Sequence, residues 1–516
     1  MLPWTLVCAL SCAGPVPPAG PDPRLTLGPV RTCADPAARD AAPFDRIWLD
    51  GWPSDGSQTL AGRGVSIDDL DGDGHLDLFV PRAVGPSRFF FGDGAGGFED
   101  RSDEAHPSGI TDAFGASTVD LEPDGDVDLV VYRASSPPVV LRNDGAGHFA
   151  GEPHPEWDHE VLGCGGAAAW GDVDLDGDLD LFYGRLGKYD EPRFYSCPSA
   201  LLLNDGTGAF VDGSLQLPAY VQQVRVMAAG WFNVDDDAWP ELYVVVDLPQ
   251  VLDGDRLVDN DGVLLTTMSG TGLEVDLAGM GLAAGDVNDD GVVDFAVPGI
   301  DQIAVMVSAA PGIWVDRAQA WGITAGPGQS VGWGGEWVDL DADGWLDLPM
   351  GYGTIPYAPM ADQPDEIYRN LGGDAGFERV GAAWGFADRF ATRGFAVGDL
   401  NGDGWPDLAK REVGGRVAVD LSRCGDAHTL TVALVDPTTP NVDGIGATIE
   451  IDVGERTLSR TITAGSTSYA SSGPPEALFG LGDATEVDAL RVRWPNGGST
   501  AHPGFAADRR VVVSRE

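Results

Sequence analysis

The residues of this chain best suited to chemistry are carboxylates at alternate positions of a short loop. The stretch from Asp172 to Asp180 reads Asp-Val-Asp-Leu-Asp-Gly-Asp-Leu-Asp, so acidic side chains occupy positions 1, 3, 5 and 9, and glycine occupies position 6. Oxygen ligands on alternate residues can converge on one hard cation, and the glycine permits the sharp turn that brings position 9 back. The pattern is typical of a calcium-binding loop.

Seven copies of this pattern occur, about every 55 residues, and we number them loops 1 to 7. Six copies keep the glycine. In chain order, with loop 4 left out, their expected calcium ligands are Asp69, Asp71, Asp73 and Asp77; Asp120, Glu122, Asp124 and Asp128; Asp172, Asp174, Asp176 and Asp180; Asp286, Asn288, Asp290 and Asp294; Asp339, Asp341, Asp343 and Asp347; and Asp399, Asn401, Asp403 and Asp407.

Loop 4 is a degenerate copy, with Ala238 in place of the glycine. Its ligand positions hold Asn233, Asp235, Asp237 and Glu241. Ala238 resists the turn, and Asn233 contributes no charge. We therefore expect about six calcium sites and weak binding or none at loop 4. An acidic surface turn without a metal is the alternative for each copy.

The residues around the ligands indicate that each loop belongs to a larger repeat. Position 2 is aliphatic and position 10 is apolar in every copy, whereas position 7 varies, as expected where only its backbone carbonyl binds. In the clearest units a small-residue strand precedes the loop and an apolar strand follows it. A turn-rich hairpin ending in an aromatic residue, such as 91–98, comes next. Each unit thus supplies about four short strands, which make one propeller blade.

The composition favours a large, nearly all-β protein. The 516 residues include 72 glycines and 37 prolines, and 43% of them are hydrophobic, which is enough for a large core. A net charge of −50 argues against nucleic acid or an anionic membrane surface as a partner. No apolar run reaches about 18 residues, so we expect no transmembrane span.

The N-terminus predicts export. Residues 1–12 resemble a bacterial lipoprotein signal peptide, in which Cys12 would become the lipidated residue, and residues 13–35 form a Pro/Gly/Ala-rich linker. We expect an exported protein of the cell envelope, with a lipid anchor if it is an outer-membrane lipoprotein, or an extracellular protein. An ordinary cleaved signal or an unstructured N-terminus remains the alternative.

The repeats resemble FG-GAP repeats, also called VCBS repeats, which build the seven-bladed propeller of integrin α subunits. The resemblance implies an integrin-α-like seven-bladed β-propeller over residues 36–424. Residues 428–516 predict a second, smaller β domain. Its motifs at 441–447, 479–482 and 487–497 resemble the ASPIC/UnbV domain, although Leu478 stands where that family usually has histidine. The pairing of the two domains resembles the cartilage acidic protein family, which is extracellular and calcium-binding.

The phase of the repeats predicts how the ring closes. Phe44-Asp45-Arg46 precedes the first unit and resembles an outer strand, whereas no such strand follows the last loop. One blade built from both ends of the propeller would remove the open sheet edges. Outside the signal four cysteines remain, and they allow three pairings. We expect the pairs Cys33–Cys424, at the seam of the ring, and Cys164–Cys197; four reduced cysteines in a cytoplasmic protein are the alternative.

No set of residues predicts catalysis. Gly328–Gly332 matches the G-x-S-x-G pattern of a nucleophile elbow but lacks its strand-turn-helix context. The leading hypothesis is an exported calcium-binding propeller that acts in adhesion or binds a protein or glycan. One alternative is a carbohydrate-active or other hydrolytic enzyme with a site in the propeller channel or between the domains. A structural envelope component is another.

Overall fold

The structure is a computed structural model that describes most of the chain. The described residues are 24–33, 43–51, 64–133, 136–154, 165–186, 197–235, 237–247, 254–325, 330–355, 363–389, 391–413, 416–465 and 468–515. Cys12, the predicted export signal and Cys164 lie outside them. Within these ranges, none of the helices has the length and apolar character that crossing a membrane requires.

Strands dominate the described residues. Before and within the first two sheets of the ring they are β1 (Leu25–Leu27), β2 (Phe44–Leu49), β3 (Ser66–Asp68), β4 (Asp77–Val80), β5 (Arg88–Gly92), β6 (Phe98–Asp100), β7 (Ala113–Val119), β8 (Asp128–Arg133), β9 (Val139–Asn143) and β10 (Phe149–Pro153). The next two sheets contain β11 (Ala168–Gly171), β12 (Asp180–Tyr183), β13 (Ala200–Asn204), β14 (Phe210–Asp212), β15 (Val226–Phe232), β16 (Glu241–Val246), β17 (Arg256–Asn260) and β18 (Leu265–Thr267).

The remaining strands complete the ring and form the C-terminal domain. Those of the ring are β19 (Ala283–Gly285), β20 (Asp294–Pro298), β21 (Ile303–Ala310), β22 (Ile313–Asp316), β23 (Gly332–Gly335), β24 (Leu348–Tyr352), β25 (Glu366–Asn370), β26 (Phe377–Arg379), β27 (Thr392–Gly398), β28 (Asp407–Glu412) and β29 (Val417–Ser422). Those of the C-terminal domain are β30 (His428–Val435), β31 (Thr448–Val453), β32 (Arg456–Thr461), β33 (Ala464–Gly465), β34 (Glu476–Gly482), β35 (Glu486–Arg493), β36 (Ser499–Ala506) and β37 (Arg509–Ser514). One short helix, α1 (Ser102–Ala105), and 3-10 turns at Ser214–Gln216 and Gly373–Ala375 are the helical elements of the described part.

Strands β2 to β29 form seven antiparallel sheets, each with four strands from this part of the chain. First strands of neighbouring sheets contact one another, as β3 does with β7, β11 with β15 and β23 with β27, so these strands line the centre of the ring. The second strands are buried along nearly their whole length, and strands such as β8 and β16 are mostly apolar. Apolar side chains on both faces of a sheet pack against the sheets on either side, which is how propeller blades form a continuous core. The all-β propeller prediction is confirmed.

The ring closes with its N-terminal strand. Strand β2 pairs antiparallel with β29, from Phe44 opposite Ser422 to Leu49 opposite Val417, and thereby joins the sheet of β27 to β29. Arg46 of this strand also binds both carboxylate oxygens of the buried Asp420, at 2.5 and 2.8 Å. The sequence predicted this closure from the phase of the repeats.

A disulfide joins Cys33 to Cys424 beside the closing strand, the pairing predicted for the seam. Cys197 is also disulfide-bonded, and its predicted partner Cys164 lies outside the described residues.

We expect the double substitution of Cys33 and Cys424 by serine to lower the free energy of unfolding by about 2–5 kcal/mol, because the bond restricts the unfolded chain. Denaturant unfolding measures this, with single Cys33→Ser as the control that leaves an unpaired thiol. Equal midpoints for the wild type and the double variant would contradict it.

The C-terminal domain consists of two four-stranded sheets. One has the order β1-β37-β30-β34 and the other β32-β31-β35-β36. Strand β1 belongs to the segment 13–35, which the sequence predicted to be a linker. Instead, Leu25 to Leu27 pair with Val511 to Val513 and cover the edge of β37. The apolar alternation of Leu25 and Leu27 was too short to distinguish a strand from a linker.

Residues 464–465 and 468–474, which we call the channel insert, lead from the C-terminal domain into the centre of the ring. Strand β33 pairs with β11, and Tyr469 packs against Phe114 and Trp333, with ring centroids 5.7 and 5.2 Å apart. Its serines hydrogen-bond to the first strands or their approaches: Val65 N–H donates to Ser471 Oγ, and Phe395 N–H donates to Ser468 Oγ. The insert therefore occupies the centre of the ring with side chains of its own.

Candidate metal centres

Six loops share one pattern of backbone hydrogen bonds. The position-6 glycine has φ between 82° and 100°, which an L side chain rarely adopts, and its N–H donates to the position-1 aspartate at 2.7–3.1 Å. One oxygen of the position-9 aspartate accepts an N–H from a residue on the third strand of the blade, such as Gly92 or Asn204. The loop is thus bent so that positions 1 and 9 lie side by side above the strand ends.

Several buried carboxylate oxygens of these loops have no hydrogen-bond partner among the described residues. Most of these oxygens belong to position 1 or position 3: Oδ1 of Asp71, Asp120, Asp172, Asp341 and Asp399; Oδ1 of Asp178, at position 7 of loop 3, is another. Leaving a buried carboxylate oxygen unsatisfied is costly, so these atoms suit a cation that would be bound between them. The donor set is all oxygen, which is the chemistry calcium prefers.

Loops 1, 3 and 6 bring three of the predicted ligands together. Carboxylate oxygens from positions 1, 3 and 9 lie within 4.8 Å of one another in each; the groups are Asp69, Asp71 and Asp77; Asp172, Asp174 and Asp180; and Asp339, Asp341 and Asp347. Each group could hold a metal ion. The position-5 aspartates Asp73, Asp176 and Asp343 instead accept the backbone N–H of position 7, so the structure does not place them in the groups.

In loops 5 and 7 the third position is asparagine. The Asn288 and Asn401 amides donate to the position-5 aspartates Asp290 and Asp403, at 3.1 and 3.2 Å. The position-9 residues Asp294 and Asp407 are fully buried below them, and Asp286 and Asp399 at position 1 are nearly so. These loops offer an amide oxygen where the others offer a carboxylate. In loop 2, Asp124 at position 5 accepts the Asp126 N–H.

Arginines that the sequence analysis missed bind several of the loop carboxylates. The pairs are Arg101–Asp71 at 2.9 Å, Arg142–Asp128 at 3.0 Å with Glu122 also bound, Arg369–Asp341 at 2.5 Å, and Arg31–Asp399 at 2.9 Å. Each guanidinium offsets part of the charge of its loop. No ion pair to the ligands of loop 3 occurs in the part of the chain described, and Asp178 adds a fifth carboxylate there. Loop 3 is therefore the most negative of the glycine-containing loops and the strongest candidate.

Loop 4 differs in its backbone. Ala238 does not have a positive φ, and the Asn233 amide donates to the Asp237 carbonyl at 2.6 Å. Asp235 and Glu241 nevertheless form a group with Asp259, which lies on β17 outside the loop. Asp259 was missed because it lies 18 residues beyond position 9 of the loop. The available signal was a repeated pair: Asp259 precedes Asn260, and two other blades have arginine before the corresponding asparagine.

The C-terminal domain lies against the loops. Its contacts are Asn441 N–H to the Gly177 carbonyl at 3.0 Å, Gly482 N–H to the Ala342 carbonyl at 2.8 Å, and Arg456 to the Gly344 carbonyl and to Asp289, both at 2.8 Å. Loops 3, 5 and 6 therefore lie at the interface between the two domains.

Burial raises the pKa of the position-9 carboxyls. Desolvation raises the pKa of Asp77, Asp180 and Asp294 to about 8, although backbone N–H donors oppose the shift. A folded-state pKa above the ordinary value of 3.8 means that folding without a cation favours the protonated acid. Without calcium, stability should fall as the pH rises from about 4 to about 8, because each carboxyl must then ionise while buried.

Calcium binding should release protons near neutral pH, because a bound divalent cation favours the ionised carboxylates whose pKa burial has raised to about 8. Affinity should rise between about pH 6 and pH 8. Titration calorimetry in two buffers of different ionisation enthalpy measures the proton release. The same heat in both buffers would contradict this prediction.

The comparisons with known proteins agree with this architecture. Residues 437–516 match the family described as ASPIC and UnbV, and residues 69–131 and 120–183 match the FG-GAP-like repeat. No curated protein compared with the chain matches it.

Similar solved structures include three with low identity. An Agrocybe aegerita lectin that recognises non-reducing terminal N-acetylglucosamine is 16% identical, with 70% of this chain and 94% of that chain covered and a TM-score of 0.43. The rhamnogalacturonan lyase YesW is 14% identical, with 74% and 76% covered and a TM-score of 0.41. YCF48 bound to D1 peptide is 10% identical, with 75% and 97% covered and a TM-score of 0.42. These likenesses carry no argument about function.

From the matched families and the ring of sheets, the chain combines FG-GAP-like repeats, arranged as a β-propeller, with a C-terminal ASPIC and UnbV domain.

Proposed function

We propose that this protein is an exported, calcium-binding β-propeller that acts in adhesion or binds a protein or glycan at the cell envelope. The observation that carries the calcium part is the set of buried carboxylate oxygens without partners in the loops. The ion would supply the positive charge that lets these carboxylates ionise together. The Cys33–Cys424 disulfide supports export, because such bonds persist in oxidising compartments.

Calcium would also hold the two domains together. Loops 3, 5 and 6 present backbone carbonyls or carboxylates to the C-terminal domain. A bound ion would fix each loop in the shape that the partner domain contacts. The function of the metal in this proposal is therefore structural.

We place the ligand in a cleft between the loops of the last two blades and the C-terminal domain. Its volume is about 780 Å³, within the range of roughly 300–1,000 Å³ typical of ligand sites. Trp384, Arg423 and Asp426 are among the lining residues. A partly exposed indole beside acidic and basic groups suits the apolar faces and hydroxyls of a sugar or a peptide. The channel offers a ligand less room, because Tyr469 and Ala470 pack inside it.

A binding screen of the calcium-loaded protein against glycans and envelope proteins tests this proposal. Asp426 is exposed, so Asp426→Lys should fold normally and weaken binding of any ligand that uses the cleft. Asp276→Lys, an equal charge reversal at an exposed position outside the cleft, is the matched control. If Asp426→Lys leaves the affinity of a ligand unchanged, the binding site lies outside the cleft. If neither a glycan nor an envelope protein binds, the adhesion hypothesis is contradicted.

The enzyme hypothesis is the second candidate, and the same cleft favours it. Asp426 and Asp483 are carboxylates of the lining that belong to no metal loop, and carboxylates are the groups that most glycoside hydrolases use. Turnover of a bound glycan that Asp426→Asn or Asp483→Asn abolishes, with binding retained, would establish the enzyme.

A further inference from the structure

We propose that the degenerate loop 4 binds a calcium ion by recruiting Asp259 from strand β17, outside the loop. Asp235, Glu241 and Asp259 would supply carboxylate ligands, and Asn233 an amide oxygen. The inference rests on the proposed function, in which the other loops bind calcium, and it reverses the expectation of weak binding or none that the sequence of loop 4 supports.

The register of the third strand shows that Asp259 is placed to reach the loop. The residue after it, Asn260, donates from its amide to the carbonyl of Pro240, at position 8 of the loop. Each blade takes the number of the loop that it contains. In blades 2 and 6, Asn143 and Asn370 make the same bond, to the position-8 carbonyls of Val127 and Leu346. The residues before these asparagines are Asp259, Arg142 and Arg369, which therefore occupy one equivalent position.

In blades 2 and 6, the side chain at this position already binds loop ligands. Arg369 contacts Asp341 at 2.5 Å, and Arg142 contacts Asp128 at 3.0 Å. In blade 4 the sign is reversed, because Asp259 adds a negative charge where the other two blades add a positive one. Carboxylate oxygens of Asp235, Glu241 and Asp259 lie within 4.8 Å of one another, and no described lysine or arginine forms an ion pair with any of the three.

Glu241, a member of this group, has a buried oxygen without a partner in the described chain. Glu241 is fully buried; its Oε2 accepts the Val234 N–H at 3.0 Å, whereas Oε1 has no hydrogen-bond partner among the described residues. In blade 6, the corresponding second oxygen of Asp347 accepts the Asn370 N–H at 2.8 Å. The longer glutamate lacks that bond, so Oε1 is available to a cation. Oδ1 of Asn233 is a second buried oxygen without a partner in the described chain.

Native mass spectrometry of the intact protein at saturating calcium tests the proposal by counting bound ions. Asp259→Arg should bind one ion fewer than the wild type. It should stay folded, because arginine at the same position in blades 2 and 6 pairs with the loop carboxylates. Asp259→Asn should also bind one ion fewer than the wild type, and it replaces Asp259→Arg in the ion count if the arginine variant does not fold. Asp276→Asn, which removes an exposed carboxylate of the same blade, should lose none.

A reference variant separates this inference from the calcium proposal itself. Asp172→Asn removes a ligand of loop 3 and should also lose one ion. If Asp172→Asn loses an ion while both Asp259 variants keep the wild-type number, loop 4 does not bind calcium through Asp259, and the proposal for the other loops stands. If the wild type binds no calcium at all, the proposed function fails and this inference fails with it.

Discussion

Replacing calcium with a chelator should lower the temperature of thermal unfolding by about 10 °C. Under the proposed function the loops act as extracellular calcium modules, which have dissociation constants of roughly 10⁻⁴–10⁻³ M. At about 10 mM calcium each such site stabilises the folded state by about 1–3 kcal/mol through mass action. The six glycine-containing loops together give roughly 10 kcal/mol. A protein of this size has an unfolding entropy that converts each kcal/mol to about 1 °C.

The control for this experiment is ionic strength. The chain carries a net charge of −50, so any salt that screens its self-repulsion stabilises it to some degree. Sodium chloride at matched ionic strength removes that contribution. Magnesium at the same concentration should stabilise less than calcium, because it demands octahedral geometry and gives up its water reluctantly. Equal unfolding temperatures in calcium and in chelator, at matched ionic strength, would mean that the loops are not metal sites.

The loops and the closure of the ring could be predicted because their signals are local or periodic. The spacing of Asp172 to Asp180 determines which side chains share a turn, and its glycine is found with the positive φ that the turn requires. The missing outer strand after Val419 required a strand from the N-terminus, and β2 occupies that place. The Cys33–Cys424 bond followed from the same geometry, since both residues lie at the seam.

The charge balance of the loops could not be predicted from the loops alone. Arg369 lies 22 residues beyond position 9 of its loop, and it reaches the ligands only because β25 pairs with β24 in that register. Asp259 reaches loop 4 in the same way. A pattern of nine residues contains no information about the third strand of the blade, whose register depends on pairing and packing.

The channel insert was missed for a related reason. The small residues of the first strands were recognised as part of the repeat, but their spacing does not show what they face. A Cβ added at Gly115 would lie 2.5 Å from the carbonyl oxygen of Ala470, more than 350 residues away in sequence. The glycine thus allows another part of the chain to approach closely. Only the folded ring brings the two segments together.

Substituting Gly64 by alanine should destabilise the protein by about 1–3 kcal/mol or more, because it forces the channel insert out of its position. The added Cβ would lie 1.7 Å from the carbonyl oxygen of Ala470, a backbone atom that cannot move without the insert. The free energy of unfolding in denaturant measures the cost. Limited proteolysis should also cut the variant within residues 464–474 faster than the wild type, since a displaced segment is accessible to protease.

Gly151→Ala is the matched control for this substitution, because the nearest atom to its added Cβ is a side-chain atom of His106 at 3.5 Å, which is ordinary contact. It should leave the unfolding midpoint within about 0.5 kcal/mol of the wild type. Tyr469→Ala should itself cost about 3–5 kcal/mol by emptying a packed site, and the pair Gly64→Ala with Tyr469→Ala should cost less than the sum, because both act on one segment. Two results would contradict this prediction: the same unfolding midpoint for Gly64→Ala and Gly151→Ala, or full additivity of the Gly64→Ala and Tyr469→Ala effects. Either would mean that the insert does not occupy the channel in solution, and the channel would then have room for a ligand.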